Sequence, residues 1–151
     1  MSRPTRPALP ALIALLLTLG CGDEGPNEDL TYAELVGNWP LISLVFTSDA
    51  DPGTTFDFQA AGGSGSLTFQ DDTTFLWVLL RDPGSPTESS TGPVELDGEA
   101  IILTDENDPD LPLLTGSRAG TRLVFETEDA EYDFDGDGMD EPARVDAVFE
   151  H

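Results

Sequence analysis

The chain has no lysine, one histidine and one cysteine among its 151 residues. Each shortage removes a class of function. A phosphate-cradling loop of the Walker type needs a lysine, so that nucleotide chemistry is excluded. The histidine is His151, the last residue, where a catalytic base is expected to be frayed and unsupported; Ser-His-Asp and Cys-His arrangements fall with it. A single cysteine, Cys21, rules out an internal disulfide, so the fold must hold without one. Positive charge is equally scarce. Six arginines face 30 acidic residues, for a formal charge of −24. All the acidic residues follow Cys21, while Arg3 and Arg6 precede it, so the chain from Cys21 onward carries −26. Such a surface repels phosphate backbones and offers no basic patch, which excludes nucleic acid as a partner, and it keeps the folded part off anionic membrane surfaces. Carboxylate pairs are too numerous to nominate a hydrolytic pair without geometry. The chain is expected not to be an enzyme.

Long apolar runs are missing too. The longest begins at Ala8 and ends at Leu19, short of the roughly 20 residues a membrane-crossing helix needs. Preceded by Arg3 and Arg6 and followed by the small Gly20, it has the three parts of a cleaved secretion signal. Leu17-Thr18-Leu19-Gly20-Cys21 resembles the lipobox of bacterial lipoproteins, with Thr18 where that family usually has leucine. The resemblance implies a signal peptide over residues 1–20, and a diacylglyceryl group on the Cys21 thiol as the first mature residue. It also implies a place in the bacterial cell envelope. Gly22, standing where some lipoproteins carry a retention aspartate, favours the outer over the inner membrane. One acyl chain binds a membrane only marginally and two or more anchor firmly, so the membrane is the one partner expected with force. Residues 21–29 are polar, acidic and glycine-containing, and read as a flexible tether.

Residues 30–151 are one domain's worth of chain. Thr31-Tyr-Ala-Glu34 has the capping-box pattern, predicting a short helix over Tyr32 to Val36 that ends at Gly37. Thereafter the period is two. Ile42, Leu44 and Phe46 alternate with polar or smaller residues; Thr55–Phe58, Leu67–Phe69, Phe75–Leu80, Val94–Leu96, Ala100–Leu103, Leu113–Leu114, Leu123–Phe125 and Ala143–Phe149 follow. Gln70–Thr73 reads as a tight turn and Asp97-Gly98 as a two-residue hairpin. Arg81–Pro93, Asp105–Pro112 and Gly116–Gly120 read as loops. Short strands with turns every 8–15 residues predict an all-β antiparallel barrel or sandwich.

Gly37-Asn38-Trp39, after a short helix and at the head of the first strand, resembles the Gly-x-Trp signature of lipocalins. The order that follows resembles the lipocalin-like domains of bacterial lipoproteins: Leu-Thr-Phe, an acidic turn, Thr-Phe, an Asp-Gly hairpin, and Asp-Phe-Asp-Gly-Asp-Gly before the last strand. The resemblance spans residues 31–151. It implies an up-and-down barrel of about eight strands, closed by the last strand on the first. Trp39 would pack over the closed end beneath an arginine of the last strand, for which Arg144 is the candidate. Pro40 departs from the pattern by removing a ladder donor.

Two sites follow. Phe75, Trp77 and Leu79 share one face of a strand whose other face, Leu76, Val78 and Leu80, is apolar as well. They either fill the barrel or line a pocket for a small apolar ligand, as small barrels can hold one. Asp133, Asp135 and Asp137 occupy positions 1, 3 and 5 of a loop with Gly138 at 6, Met139 offering a carbonyl at 7 and Glu141 at 9. Hard Ca²⁺ takes six to eight oxygens in that spacing, with weak affinity of roughly 10⁻⁴–10⁻³ M expected for an extracellular module. Position 12 is Arg144, so the loop is not an EF-hand. The alternative is a solvated acidic turn; Ca²⁺ is not required by the sequence. Asp105, Asp108 and Asp110 read as surface. The leading function is a lipid-anchored, lipocalin-like binder of a small apolar ligand. The alternative is a non-enzymatic structural or interaction protein of the envelope, with a solid barrel and a Ca-stabilised loop.

Overall fold

The computed structural model describes residues 30–81, 87–110 and 112–151; the signal-like segment, the tether and Cys21 lie outside them. The described residues form an all-β domain. After a single 3₁₀ turn, Tyr32–Glu34, come β1 (Gly37–Ser48), β2 (Thr55–Asp57), β3 (Ser64–Phe69), β4 (Thr74–Leu80) and β5 (Glu88–Asp97). They are followed by β6 (Ala100–Thr104), β7 (Pro112–Ala119), β8 (Arg122–Tyr132) and β9 (Glu141–Glu150). Every pairing is antiparallel, β3 to β9 meander in order, and β1 pairs with both β3 and β9. Eight strands thus close a barrel, and β2 is a three-residue rider on the far half of β1.

Two strands turn the corners that make closure possible. Gly37–Pro40 of β1 pairs with β3, while Leu41–Ser48 pairs with β9. The change falls at a bulge between Leu41 and Ser43. One extra residue there shifts the side-chain alternation, so Trp39, Leu41 and then Leu44 point to the core while Ile42 is 40% exposed. The expectation that Ile42 shares a face with Leu44 and Phe46 is therefore corrected. In β5, Glu88–Pro93 pairs with β4 and Val94–Asp97 with β6. Gly92 sits at that second corner, where a Cβ would lie 1.9 Å from the Thr104 carbonyl oxygen; no other residue fits.

Other local expectations shift by small amounts for clear reasons. The predicted helix is one 3₁₀ turn. Its Glu34 carboxylate accepts the Thr31 N–H at 2.9 Å and the Thr31 hydroxyl at 2.8 Å, which holds that carboxyl below its usual range. Glu88–Pro93 is strand rather than loop, because Thr91 donates its hydroxyl to the Phe75 carbonyl and the ladder with β4 supplies the rest. Gly116–Ala119 is likewise strand, turning only at Gly120-Thr121. The β5–β6 turn residues are Gly98-Glu99, flanked by the Asp97–Ala100 pair, with φ of +61° at Gly98. A positive φ at the first loop position is what a type II′ hairpin asks of glycine.

The up-and-down path sorts the connections. The tight turns β3–β4, β5–β6 and β7–β8 lie at the end where β1 begins. The strand ends joined by the longer connections, Ser48 and Ser64, Leu80 and Glu88, Thr104 and Pro112, Tyr132 and Glu141, lie at the other end. The core runs the length of the barrel: Leu35, Leu67, Phe69, Phe75, Ile101, Leu123, Phe125 and Phe149 toward the turn end, and Leu103, Leu114 and Ala143 toward the loop end, are all 0–1% exposed. Val145, Ala147 and Phe149 share the inner face of β9, as their alternation predicts.

Candidate functional site

The barrel is plugged at its turn end. Trp39 is 2% exposed and donates its indole N–H to the Leu35 carbonyl at 2.8 Å. Tyr32 reaches across to the Gln70 and Thr74 carbonyls at 2.7 and 3.0 Å; burial, with Asp72 and Asp71 nearby, pushes its phenol up. No arginine of β9 covers Trp39. Arg144 pairs with Thr47 at the opposite end of β1 and points outward, 3.8 Å from Asp146, so the role offered to it is corrected. His151 lies against Trp39 instead, ring centroids 5.1 Å apart, and its backbone N–H donates to the Thr121 carbonyl at 3.0 Å. Residue 151 is thereby tied down rather than frayed.

The loop end carries two shallow hollows. Trp77, Leu79 and Leu113 wall a hollow of about 170 Å³, with Glu88, Ser89 and Ser90 along its rim. Of the three residues that sequence spacing put together, Trp77 and Leu79 line this hollow, while Phe75 is fully buried beneath. Trp77 meets Phe149 edge-on at 6.4 Å. Its Nε1–H is buried and has no acceptor among the described residues, although buried polar groups are nearly always paired. Ser90 is held in place by Asp105, to which its hydroxyl donates. That bond and the Asn107 N–H keep the Asp105 carboxyl below its usual range. Asp105 is thus part of the rim's support rather than free surface.

Beside this hollow stands an aromatic cluster that sequence spacing did not reveal. Phe46, Phe56, Tyr132 and Phe134 are all half-buried. Phe56 stacks on Tyr132 at 4.5 Å, Phe46 lies 4.8 Å from Tyr132, and Phe134 meets Tyr132 edge-on at 5.1 Å. Phe46 and Tyr132 border a second hollow of about 440 Å³, rimmed by Arg81, Glu88 and carboxylates of the β8–β9 loop. Arg81 binds Glu88 at 2.9 Å between the two hollows. Burial pushes the Tyr132 phenol up, Arg81 works against that, and Asp133 adds to it.

The β8–β9 loop carries the acidic group. One carboxylate oxygen from each of Asp133, Asp135, Asp137 and Glu141 lies within 4.8 Å of the others. The loop's own N–H groups orient them. Asp133 accepts from Gly136 at 2.6 Å and from Gly138 at 2.9 Å, Asp135 from Asp137 at 3.0 Å, Asp137 from Met139 at 2.8 Å, and Glu141 from Phe134 at 2.9 Å. Oxygens about 2.4 Å from one Ca²⁺ are at most about 4.8 Å apart, so this donor set fits that ion. Four of the five predicted ligand residues converge by side chain. Met139 is 68% exposed and would contribute only its carbonyl.

Comparison with protein-family models, with curated proteins and with solved structures finds no match. Among the described residues, no helix is long and apolar enough to cross a membrane. The described residues thus form a closed eight-stranded antiparallel barrel, plugged at its turn end.

Proposed function

We propose that this chain is a lipocalin-like lipoprotein of the bacterial envelope, anchored through lipid on Cys21, whose barrel takes a small apolar ligand at its loop end. The outer membrane is its location in this reading, and its role is binding rather than catalysis. The observation that carries the ligand reading is Trp77: a buried indole N–H with no acceptor among the described residues, on a side chain that lines an apolar-walled hollow. Leaving such a donor unpaired costs about 1–3 kcal/mol, and a ligand that turns the indole toward its own acceptor on entering relieves it. Gly37, Trp39 and the barrel closure of β9 on β1 support the likeness to lipocalins.

The test is a titration of 2-heptanone against heptane, followed by isothermal calorimetry. The ketone should bind about 2–10-fold tighter, the worth of one net hydrogen bond. Trp77→Phe should erase that difference while leaving the fold intact. Equal binding of both compounds to the native chain, or no binding of either, would remove the reading.

The acidic loop supports a further property of the same protein, a weak Ca²⁺ site of Asp133, Asp135, Asp137, Glu141 and the Met139 carbonyl, which braces the β8–β9 connection. With a Kd of about 1 mM, 10 mM CaCl₂ should stabilise the fold by about 1.4 kcal/mol, a rise in Tm of a few degrees. NaCl of matched ionic strength must give less, since a chain this acidic is stabilised by any screening. Asp135→Asn should abolish the Ca²⁺-specific part. A melt that responds equally to both salts removes the site and leaves a solvated turn.

A further inference from the structure

The hollow lined by Phe46 and Tyr132 has a chemistry that an apolar ligand alone does not use. The two rings, packed on one another with centroids 4.8 Å apart, form one side of it, and the rest is polar, with the carboxylates of Glu88, Glu131, Asp133 and Asp140 and the Arg81 guanidinium. Aromatic rings present negative charge on their faces and attract cations within about 6 Å of the centroid. Clustered carboxylates attract them at longer range, and low-dielectric walls concentrate that field. A neutral or anionic ligand gains from neither. The hollow already tolerates one cation, since the Arg81 guanidinium lines it and is held by Glu88 at 2.9 Å. Glu88 also lines the smaller hollow below Trp77 and Leu79, so the two spaces are neighbours.

We propose that the loop end selects organic cations with an apolar or aromatic body: the cationic head sits between the Phe46 and Tyr132 rings and the acidic rim, and the apolar part enters beside Trp77. This rests on the reading of the barrel as a binder of apolar ligands and adds the charge of the ligand to it. Arg81 competes for the same carboxylates, so it limits affinity for an entering cation.

Isothermal titration with benzyltrimethylammonium, benzyl alcohol and phenylacetate tests it, in EDTA and 0.15 M NaCl to separate it from divalent-ion binding and long-range attraction. The ammonium should bind at least tenfold tighter than the alcohol, and phenylacetate should not bind. The exposed pair Glu131→Gln and Asp140→Asn, which leaves the core untouched, should weaken the ammonium severalfold and leave the alcohol unchanged. Tyr132→Leu should weaken the ammonium more, and Arg81→Ala should strengthen it. Equal affinities for ammonium and alcohol would overturn the cation preference while leaving the apolar-ligand reading standing. Ammonium binding that ignores Tyr132→Leu would reduce it to surface charge and overturn it as well. Absence of binding by all three compounds would overturn both.

Discussion

Phe149→Ala should destabilise the domain by about 3–5 kcal/mol, a large share of the roughly 5–15 kcal/mol that holds a domain folded. Phe149 is fully buried on the strand that closes the barrel, paired with Leu41 of β1 and Leu123 of β8. Its ring meets Phe125 edge-on at 6.0 Å and Trp77 at 6.4 Å. Truncation removes the transfer energy of the ring and leaves a void that neighbours on three strands cannot all move to fill, because a barrel's strands are pinned on both sides. Urea unfolding measures the effect. A loss below about 1.5 kcal/mol would mean that the interior relaxes around the gap, and would argue against a tightly filled lower barrel.

Gly92→Ala should be nearly as costly, about 3 kcal/mol or more, through overpacking rather than a void. The added Cβ would meet the Thr104 carbonyl oxygen at 1.9 Å and the Glu106 nitrogen at 3.0 Å, both backbone atoms that cannot rotate away. β5 leaves its pairing with β4 and begins its pairing with β6 at this point. The substitution therefore strains the corner that lets a flat sheet close, where glycine kinks commonly serve. Glu106 also donates its N–H to the Thr91 carbonyl at 2.9 Å, so the strain reaches the base of the Asp105 turn that fixes Ser90 at the rim. Gly98→Ala, where a Cβ meets nothing within 4 Å, carries only the strain of its positive φ and should cost clearly less in the same assay. Equal losses at the two glycines would contradict the corner argument.

The strands with clean alternation were legible from the sequence, because one buried and one wet face leave a period-two mark; β9 is the clearest case. The acidic loop was legible for a different reason: its ligands are neighbours in sequence, so spacing alone brings them together. The bulge at Ile42 left no such mark, since an apolar residue reads the same facing in or out. The first half of β5 was hidden by its Ser, Thr, Gly and Pro content, which signals a loop until a partner strand is known. Phe46 and Phe56 are partners across β1 and β2, but Tyr132 comes from β8, and only the placing of β9 between β8 and β1 brings it to them. Arg144 and His151 exchanged the places expected of them. The register of β9 against β1 puts position 144 at the loop end and leaves the last residue of the chain beside Trp39.

Whether the loop end of the barrel holds a ligand is the deciding question. Native mass spectrometry of the protein extracted from its own membrane tests that most directly. The expected result is a lipid-modified Cys21 chain carrying a small non-covalent adduct, which is lost on mild activation and is present at severalfold lower occupancy in Trp77→Phe prepared in the same way. A protein that carries no adduct, or one whose adduct is indifferent to Trp77, would contradict it.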